Sequence, residues 1–119
     1  MKNQVSRDIE QRLVVFSVSV IRLTEANKQL LPFSVIDQVI RASGSVGANY
    51  AEAQNASSRT DFRNKIFIAK KEAAETRYWL HVITELTGPS KTDELLQEVQ
   101  EILLILQKIT NTLRDKSAT

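Results

Sequence analysis

The chain has 119 residues, of which 42% are hydrophobic and 25% charged, and its formal net charge is +2. This length and composition predict one globular domain with a single core. Because the net charge is so small, attraction to nucleic acid would depend on how the charges are distributed over the surface. Because the sequence contains no cysteine, disulfides and thiolate metal sites are excluded, and we expect a cytoplasmic protein. No apolar run approaches the ~20 residues of a membrane span, so no membrane partner is expected.

Hydrophobic periodicity predicts four helices and no strands. The predicted helices cover about residues 6–28, 33–55, 59–86 and 91–114. Ser58 followed by Asp61 resembles a capping box at the start of the third helix, and Gly88-Pro89 marks the clearest boundary in the chain. Four long helices with short connections predict an all-α fold, an antiparallel up-down-up-down bundle that forms one domain over residues 1–119.

The second helix combines a helical period of apolar residues with residues that form helices poorly. Gly44 and Gly47 each cost about 1 kcal/mol relative to alanine in a helix interior. Because small side chains let a second backbone come close, we expect a neighbour to pack tightly against this helix. The opposite face is either solvated or a hydrogen-bonded polar seam against a neighbouring helix or subunit. Its residues are Arg41, Ser45, Asn49 and Glu52.

The third helix is predicted to be basic along one edge and acidic along the other. Four cations, here called the basic ladder, fall within about 40° of one another and span about 27 Å. They are Arg59, Arg63, Lys70 and Arg77. The other edge carries Asp61, Glu72 and Glu75.

Three interpretations of this polarised helix stay open. The basic ladder could track a phosphate backbone while flanking aromatic side chains stack on bases. The two edges could instead meet between subunits in a head-to-tail ring. Charge runs are also commonly no more than a solvated face.

Apolar residues outside the predicted core indicate self-association. Phe67, Tyr78, Trp79 and the wide apolar stripe of the fourth helix exceed what one four-helix core can bury, and large exposed apolar area usually marks an interface. The sequence therefore predicts a homo-oligomer. The predicted interface residues are Arg41, Ser45, Asn49, Glu52, Phe67, Glu72, Glu75, Tyr78 and Trp79.

A catalytic or metal site is not predicted. His81 is the single histidine, so a nucleophilic triad would rest on it alone, and a di-iron bundle would need two Glu-x-x-His pairs. The spacing of Glu72 and Glu75 suits metal binding or acid–base chemistry, but ion pairs with nearby Arg and Lys are the commoner use. We therefore expect no enzyme, no cofactor and no small-molecule substrate.

The second and third helices carry a family motif. Its pattern is an arginine-alanine pair, a Ser-Ile-x-x-Asn-Ile-Ala-Glu segment and, after a hydrophilic turn, a Phe and an Ala-x-x-x-x-x-Glu helix. The corresponding residues here are Arg41-Ala42, Ser45-Val46, Asn49 to Glu52, Phe62, Ala69 and Glu75. With this motif the run 37–80 resembles the bacterial 23S ribosomal RNA intervening-sequence proteins. Gly47, Ala53 and Glu72 stand where that family often has Pro, Gly and Ser.

The resemblance implies a cytoplasmic bacterial four-helix bundle that forms a ring of five subunits. Similar pentameric bundles act as nucleic-acid-binding accessory factors of diversity-generating retroelements, so the resemblance also implies an RNA or DNA partner. Our first hypothesis is a non-enzymatic homo-oligomer that binds structured RNA through the basic ladder. The alternative is a structural or adaptor protein whose ring binds another protein. In the adaptor, the ladder would be buried against the acidic edge of the neighbouring subunit.

Overall fold

The computed structural model of the chain describes residues 3–118, with side chains up to Leu113. Its elements are α1 (Gln4–Ala26), α2 (Phe33–Ala53), α3 (Arg59–Thr87), a 3-10 turn (Pro89–Lys91) and α4 (Asp93–Ala118). No strand occurs among the described residues. The predicted all-α class is confirmed, although several helix ends lie a few residues from their predicted positions.

Local hydrogen bonds set where α1 and α3 begin. The side chain of Asn3 accepts from the backbone N of Ser6 at 2.8 Å, so α1 starts slightly earlier than predicted. At the start of α3, Ser58 Oγ accepts from the backbone N of Asp61 at 3.0 Å. The Asp61 carboxylate in turn accepts from the backbone N of Ser57 at 3.2 Å. Ser58 therefore satisfies a free donor of the helix start, as the sequence predicted, and the Asp61 carboxylate reaches back to the residue before the N-cap.

The turn between α3 and α4 depends on Gly88. Its φ of 103° lies in the region that residues with a Cβ rarely adopt, and its N–H donates to the carbonyl of Thr84 at 2.8 Å. Pro89 then opens the 3-10 turn, so α4 begins at Asp93, two residues later than predicted (93 − 91).

The four helices surround one core in the cyclic order α1, α2, α3, α4, and each is antiparallel to its neighbours. The bundle measures 51 × 24 × 22 Å. Among the four pairs of neighbouring helices, α2–α3 has the most extensive contact and α1–α4 the least. Each helix contributes fully buried side chains to this core, for example Phe16, Val39, Leu80 and Ile102.

Gly47 faces Leu13 where α2 packs against α1. A Cβ built on Gly47 would lie 3.4 Å from Cβ of Leu13, and Ser17 Oγ donates to the carbonyl of Ser43 at 3.2 Å nearby. The backbone of α2 therefore packs directly against α1 at Gly47, where an added Cβ would make an ordinary contact with Leu13. Gly44 is exposed, with nothing within 4 Å of a built Cβ, so the expectation does not hold there.

Candidate nucleic-acid interface

The basic ladder lines the groove between α3 and α4. Three adjoining cavities of about 110, 360 and 480 Å³ follow this groove. Arg59 and Arg63 border the first cavity, Arg63 and Lys70 the second, and Lys70 and Arg77 the third. All four predicted cations therefore line adjoining depressions between α3 and α4.

None of these four cations forms an ion pair with another described side chain. Arg77 donates from Nη1 to the neutral amide oxygen of Gln100 at 2.9 Å. Lys70 holds Nζ 6.0 Å from the centroid of the Phe67 ring, which is at the outer limit of a cation–π contact. Arg59 and Arg63 are exposed. The positive charge of the groove is therefore not neutralised by carboxylates within the described part of the chain.

The floor of the groove combines apolar and amide side chains. Phe67 lies between the two larger cavities and is 46% exposed. Ala74 and Leu103 line the third cavity beside it. From α4, Gln107 borders the second cavity and donates to Asn111 at 2.7 Å. The groove thus offers an aromatic face, amide groups and cations within one surface.

Sequence reasoning missed the contributions of α4 and one further cation. Lys71 lines the third cavity and is exposed. Gln100, Gln107 and Asn111 recur at seven- and four-residue steps on α4, a spacing that places them on one helix face. That periodicity was readable from the sequence, but it gave no indication that this face meets the basic ladder.

On the acidic edge of α3, Glu72 and Glu75 form hydrogen bonds with Arg41 of the same subunit. Arg41 on α2 donates from Nη1 to Glu72 at 3.0 Å, and its Nη2 bonds to Glu75. Glu75 also accepts from Trp79 Nε1 at 3.1 Å. The Arg41 hydrogen bond, followed by the Trp79 hydrogen bond, lowers the pKa of Glu75 below its usual value. These groups form a polar seam between α2 and α3.

Further residues of the predicted interface lie on or near the same seam. Glu52 on α2 accepts from Lys65 Nζ on α3 at 2.9 Å. The amide of Asn49 donates to the Ser45 carbonyl at 2.9 Å and to its hydroxyl at 3.0 Å, within α2. In a single subunit these residues therefore make contacts within or between its own helices. Their role in a contact between subunits stays a prediction.

The three predicted interface aromatics differ in exposure. Phe67 and Tyr78 are exposed on α3, whereas Trp79 is half-buried against the core. Tyr78 and Trp79 contact each other edge to face, with ring centroids 5.1 Å apart. Tyr78 does not line the cavities of the groove, so among these three rings Phe67 is the one placed beside the basic ladder.

The described metal-ligating residue types do not gather into a site. Among the described residues, no cluster of three or more His, Cys, Asp or Glu side chains is arranged to hold a metal ion. His81 is exposed on α3. Within the part of the chain that the structure describes, no helix has both the length and the apolar character needed to cross a membrane.

The chain is similar to a known protein family and to a solved structure. The model of the family described as 23S rRNA-intervening sequence protein matches residues 6–108. A crystal structure at 1.70 Å resolution of a protein with unknown function from the S23 ribosomal protein family of Bacteroides thetaiotaomicron VPI-5482 superposes with a TM-score of 0.77. The two chains are 30% identical over 86% of this chain and 97% of that one. A comparison with curated proteins found no significant match.

Proposed function

The chain belongs to the 23S rRNA-intervening sequence protein family, and from this premise we propose that it is a non-enzymatic, homo-oligomeric bundle that binds structured RNA. The RNA contacts the basic ladder in the α3–α4 groove. The resemblance of the motif on α2 and α3 supports a ring of five subunits, and the absence of cysteine supports a cytoplasmic location. A ring would present several copies of the groove and so strengthen a weak individual contact.

The proposal rests on a difference between the two edges of α3. The acidic residues bond within their own subunit, whereas the basic ladder pairs with no described carboxylate. A head-to-tail ring held together by charge would need the acidic edge free to receive the ladder of a neighbour. Glu72 and Glu75 instead bond to Arg41 of the same subunit, and Asp61 caps the start of its own helix. The basic ladder has no such internal partner among the described carboxylates. This arrangement favours an external polyanion as the partner of the ladder.

The groove also suits RNA in shape and chemistry. The ladder spans about 27 Å along the helix axis, which is long enough to contact several successive phosphates. Cations along a groove neutralise the backbone, and an exposed aromatic ring among them offers a stacking surface for an unpaired base. Phe67 occupies this position between the two larger cavities.

The test is fluorescence anisotropy with a labelled structured ribosomal RNA fragment over a series of salt concentrations. We expect the wild-type protein to bind with an affinity that falls steeply as salt rises. The double variant Arg63→Glu/Lys70→Glu should lose at least about tenfold in affinity and reduce the salt slope by about 1.5, because each phosphate contact contributes about 0.7–0.9 to that slope. Its native mass should stay that of the wild type.

A matched control separates the groove from net charge. Lys28→Glu/Lys91→Glu makes the same change of charge at exposed positions outside the cavities of the groove, and it should change RNA affinity little. Equal loss in both variants would show that overall charge, not the groove, binds RNA. Absence of wild-type binding at low salt would overturn RNA binding and favour the adaptor function. Loss of the oligomer in Arg63→Glu/Lys70→Glu would assign the ladder to a subunit contact.

A further inference from the structure

The outer face of α1 carries a second heptad-like stripe that the bundle does not use. Six exposed residues follow one another at alternating steps of four and three, the spacing of a coiled-coil seam. They are Arg7, Gln11, Val14, Val18, Ile21 and Glu25. We call this set the α1 outer stripe.

The centre of the α1 outer stripe is apolar and unusually exposed. Val14, Val18 and Ile21 are 50%, 40% and 43% exposed. They lie on the opposite side of α1 from Phe16 and Val20, which are buried in the core. Three branched apolar side chains in line on a helix surface, with charged residues beyond both ends, are typical of a surface that packs against another helix.

We propose that a second copy of this chain docks on the α1 outer stripe, with the two α1 helices antiparallel about a two-fold axis level with Phe16. The proposal takes up the self-association in the proposed function but does not depend on RNA binding. A two-fold contact pairs two subunits through the same surface on each. It therefore acts in addition to any head-to-tail contacts that close a ring.

Antiparallel pairing in this register brings apolar groups together at the centre. Residues whose numbers add up to 32 lie at the same height, so Val14 meets Val18 of the second copy and Ile21 meets its Gln11. Val15, another exposed residue, flanks the stripe close to the axis and lies near Val15 of the second copy. The contact therefore covers the exposed valines of α1 as well as Ile21.

The charges at the ends of the α1 outer stripe favour a second copy that lies antiparallel to the first. At each end of the stripe Arg7 faces Glu25 of the second copy, and on one flank Arg22 lies within about 3 Å in height of the other Asp8. All four residues are exposed. Parallel pairing would instead place Arg7 against Arg7 and Glu25 against Glu25, which is unfavourable.

The experiment is charge reversal and charge exchange on α1, read out by sedimentation equilibrium. Arg7→Glu places like charges opposite Glu25, and Glu25→Arg does the same opposite Arg7. Because the two-fold contact then joins two five-subunit rings, each single variant should have the mass of one ring, half the native mass of the wild type at the same concentration. The exchange variant Arg7→Glu/Glu25→Arg restores opposite charges only in the antiparallel pair, and it should recover the wild-type mass.

A second variant tests the apolar centre. Val18→Glu changes an exposed side chain, so it should keep the helix content of the wild type by circular dichroism while its native mass is halved. Single variants with wild-type mass, or an exchange variant that stays dissociated, would overturn this contact and leave other self-association standing. A wild-type protein that is monomeric at all concentrations would overturn both this contact and the proposed oligomer, while RNA anisotropy would still report separately on the groove.

Discussion

Arg41 on α2 donates a hydrogen bond to Glu72 on α3, with Nη1 3.0 Å from Oε2. The Glu72 side chain is only 11% exposed, whereas that of Arg41 is 46% exposed. The carboxylate is therefore largely removed from water while its partner still reaches solvent. The contact belongs to α2–α3, the most extensive helix pair of the bundle, and this pair positions α3 and its basic ladder.

Removal of Arg41 should destabilise the bundle more than loss of an ordinary surface charge. In Arg41→Met the Glu72 carboxylate stays buried without this partner, and we expect the free energy of unfolding to fall by about 1–3 kcal/mol. The double variant Arg41→Met/Glu72→Met removes both charges and should recover part of that loss. Urea unfolding followed by circular dichroism measures both. A double variant less stable than Arg41→Met would contradict the argument.

The Arg41 contact should also make stability depend on pH through Glu75. Hydrogen bonds from Arg41 and Trp79 lower the pKa of Glu75 in the folded state. A carboxyl whose pKa is lowered by folding adds stability above its ordinary pKa, and this stability is lost as pH falls through the folded value. The stability difference between wild type and Glu75→Gln should therefore be largest near neutral pH and shrink below about pH 4.5. Urea unfolding at several pH values measures it.

A matched variant identifies the source of that pH dependence. Glu85 lies exposed on the same helix, so Glu85→Gln removes the same charge without touching the contact with Arg41 and serves as the control. If Glu75→Gln and the wild type instead keep a constant difference down to pH 3, the carboxylate of Glu75 does not provide the effect.

The two glycines of α2 should respond oppositely to a side chain. Gly44 faces open space, so Gly44→Ala should raise stability by about 0.5–1 kcal/mol through helix propensity. Gly47→Leu must place a large side chain where Cβ alone lies 3.4 Å from Leu13, and it should cost about 1–3 kcal/mol. Thermal unfolding of both variants tests this. Equal effects at the two positions would contradict the close approach of α1 and α2.

The sequence predicted the features that local periodicity and local hydrogen bonds determine. Apolar spacing identified the buried faces that contain Val39, Leu80 and Ile102, because helix geometry alone fixes which residues share a face. The contact between Ser58 and Asp61 was predictable because a capping box involves residues three apart. The basic ladder is likewise a property of one helix, and its alignment needed no tertiary information.

Contacts between distant helices could not be predicted in the same way. Arg12 bonds to Glu98 at 2.7 Å across 86 residues, and the partner of Glu72 comes from α2, not from its own helix. Which charges meet depends on how each helix is rotated in the bundle. The α1 outer stripe was missed for a different reason, since Val14 and Val18 are interleaved with buried Leu13 and Phe16 in one nearly continuous apolar run.

If the groove binds RNA as proposed, Phe67 should determine which part of the RNA it prefers. Phe67 is 46% exposed, adjoins the two larger cavities and has Lys70 close to its ring. Paired bases in a duplex hide their faces, whereas bases in loops and bulges can stack on an aromatic ring. We therefore expect the groove to favour RNA with unpaired bases over a fully paired duplex of the same length.

Phe67→Ala should weaken binding to a hairpin with an open loop by about tenfold, because stacking of one base on an aromatic ring contributes about 1–3 kcal/mol. Binding to a perfect duplex should change little, since phosphate contacts with the basic ladder remain. Tyr78→Ala is the matched control, because Tyr78 is exposed on the same helix but does not line the cavities. Anisotropy with both RNAs distinguishes the outcomes. Equal loss on hairpin and duplex would refute stacking, and a changed native mass would place Phe67 in a subunit contact.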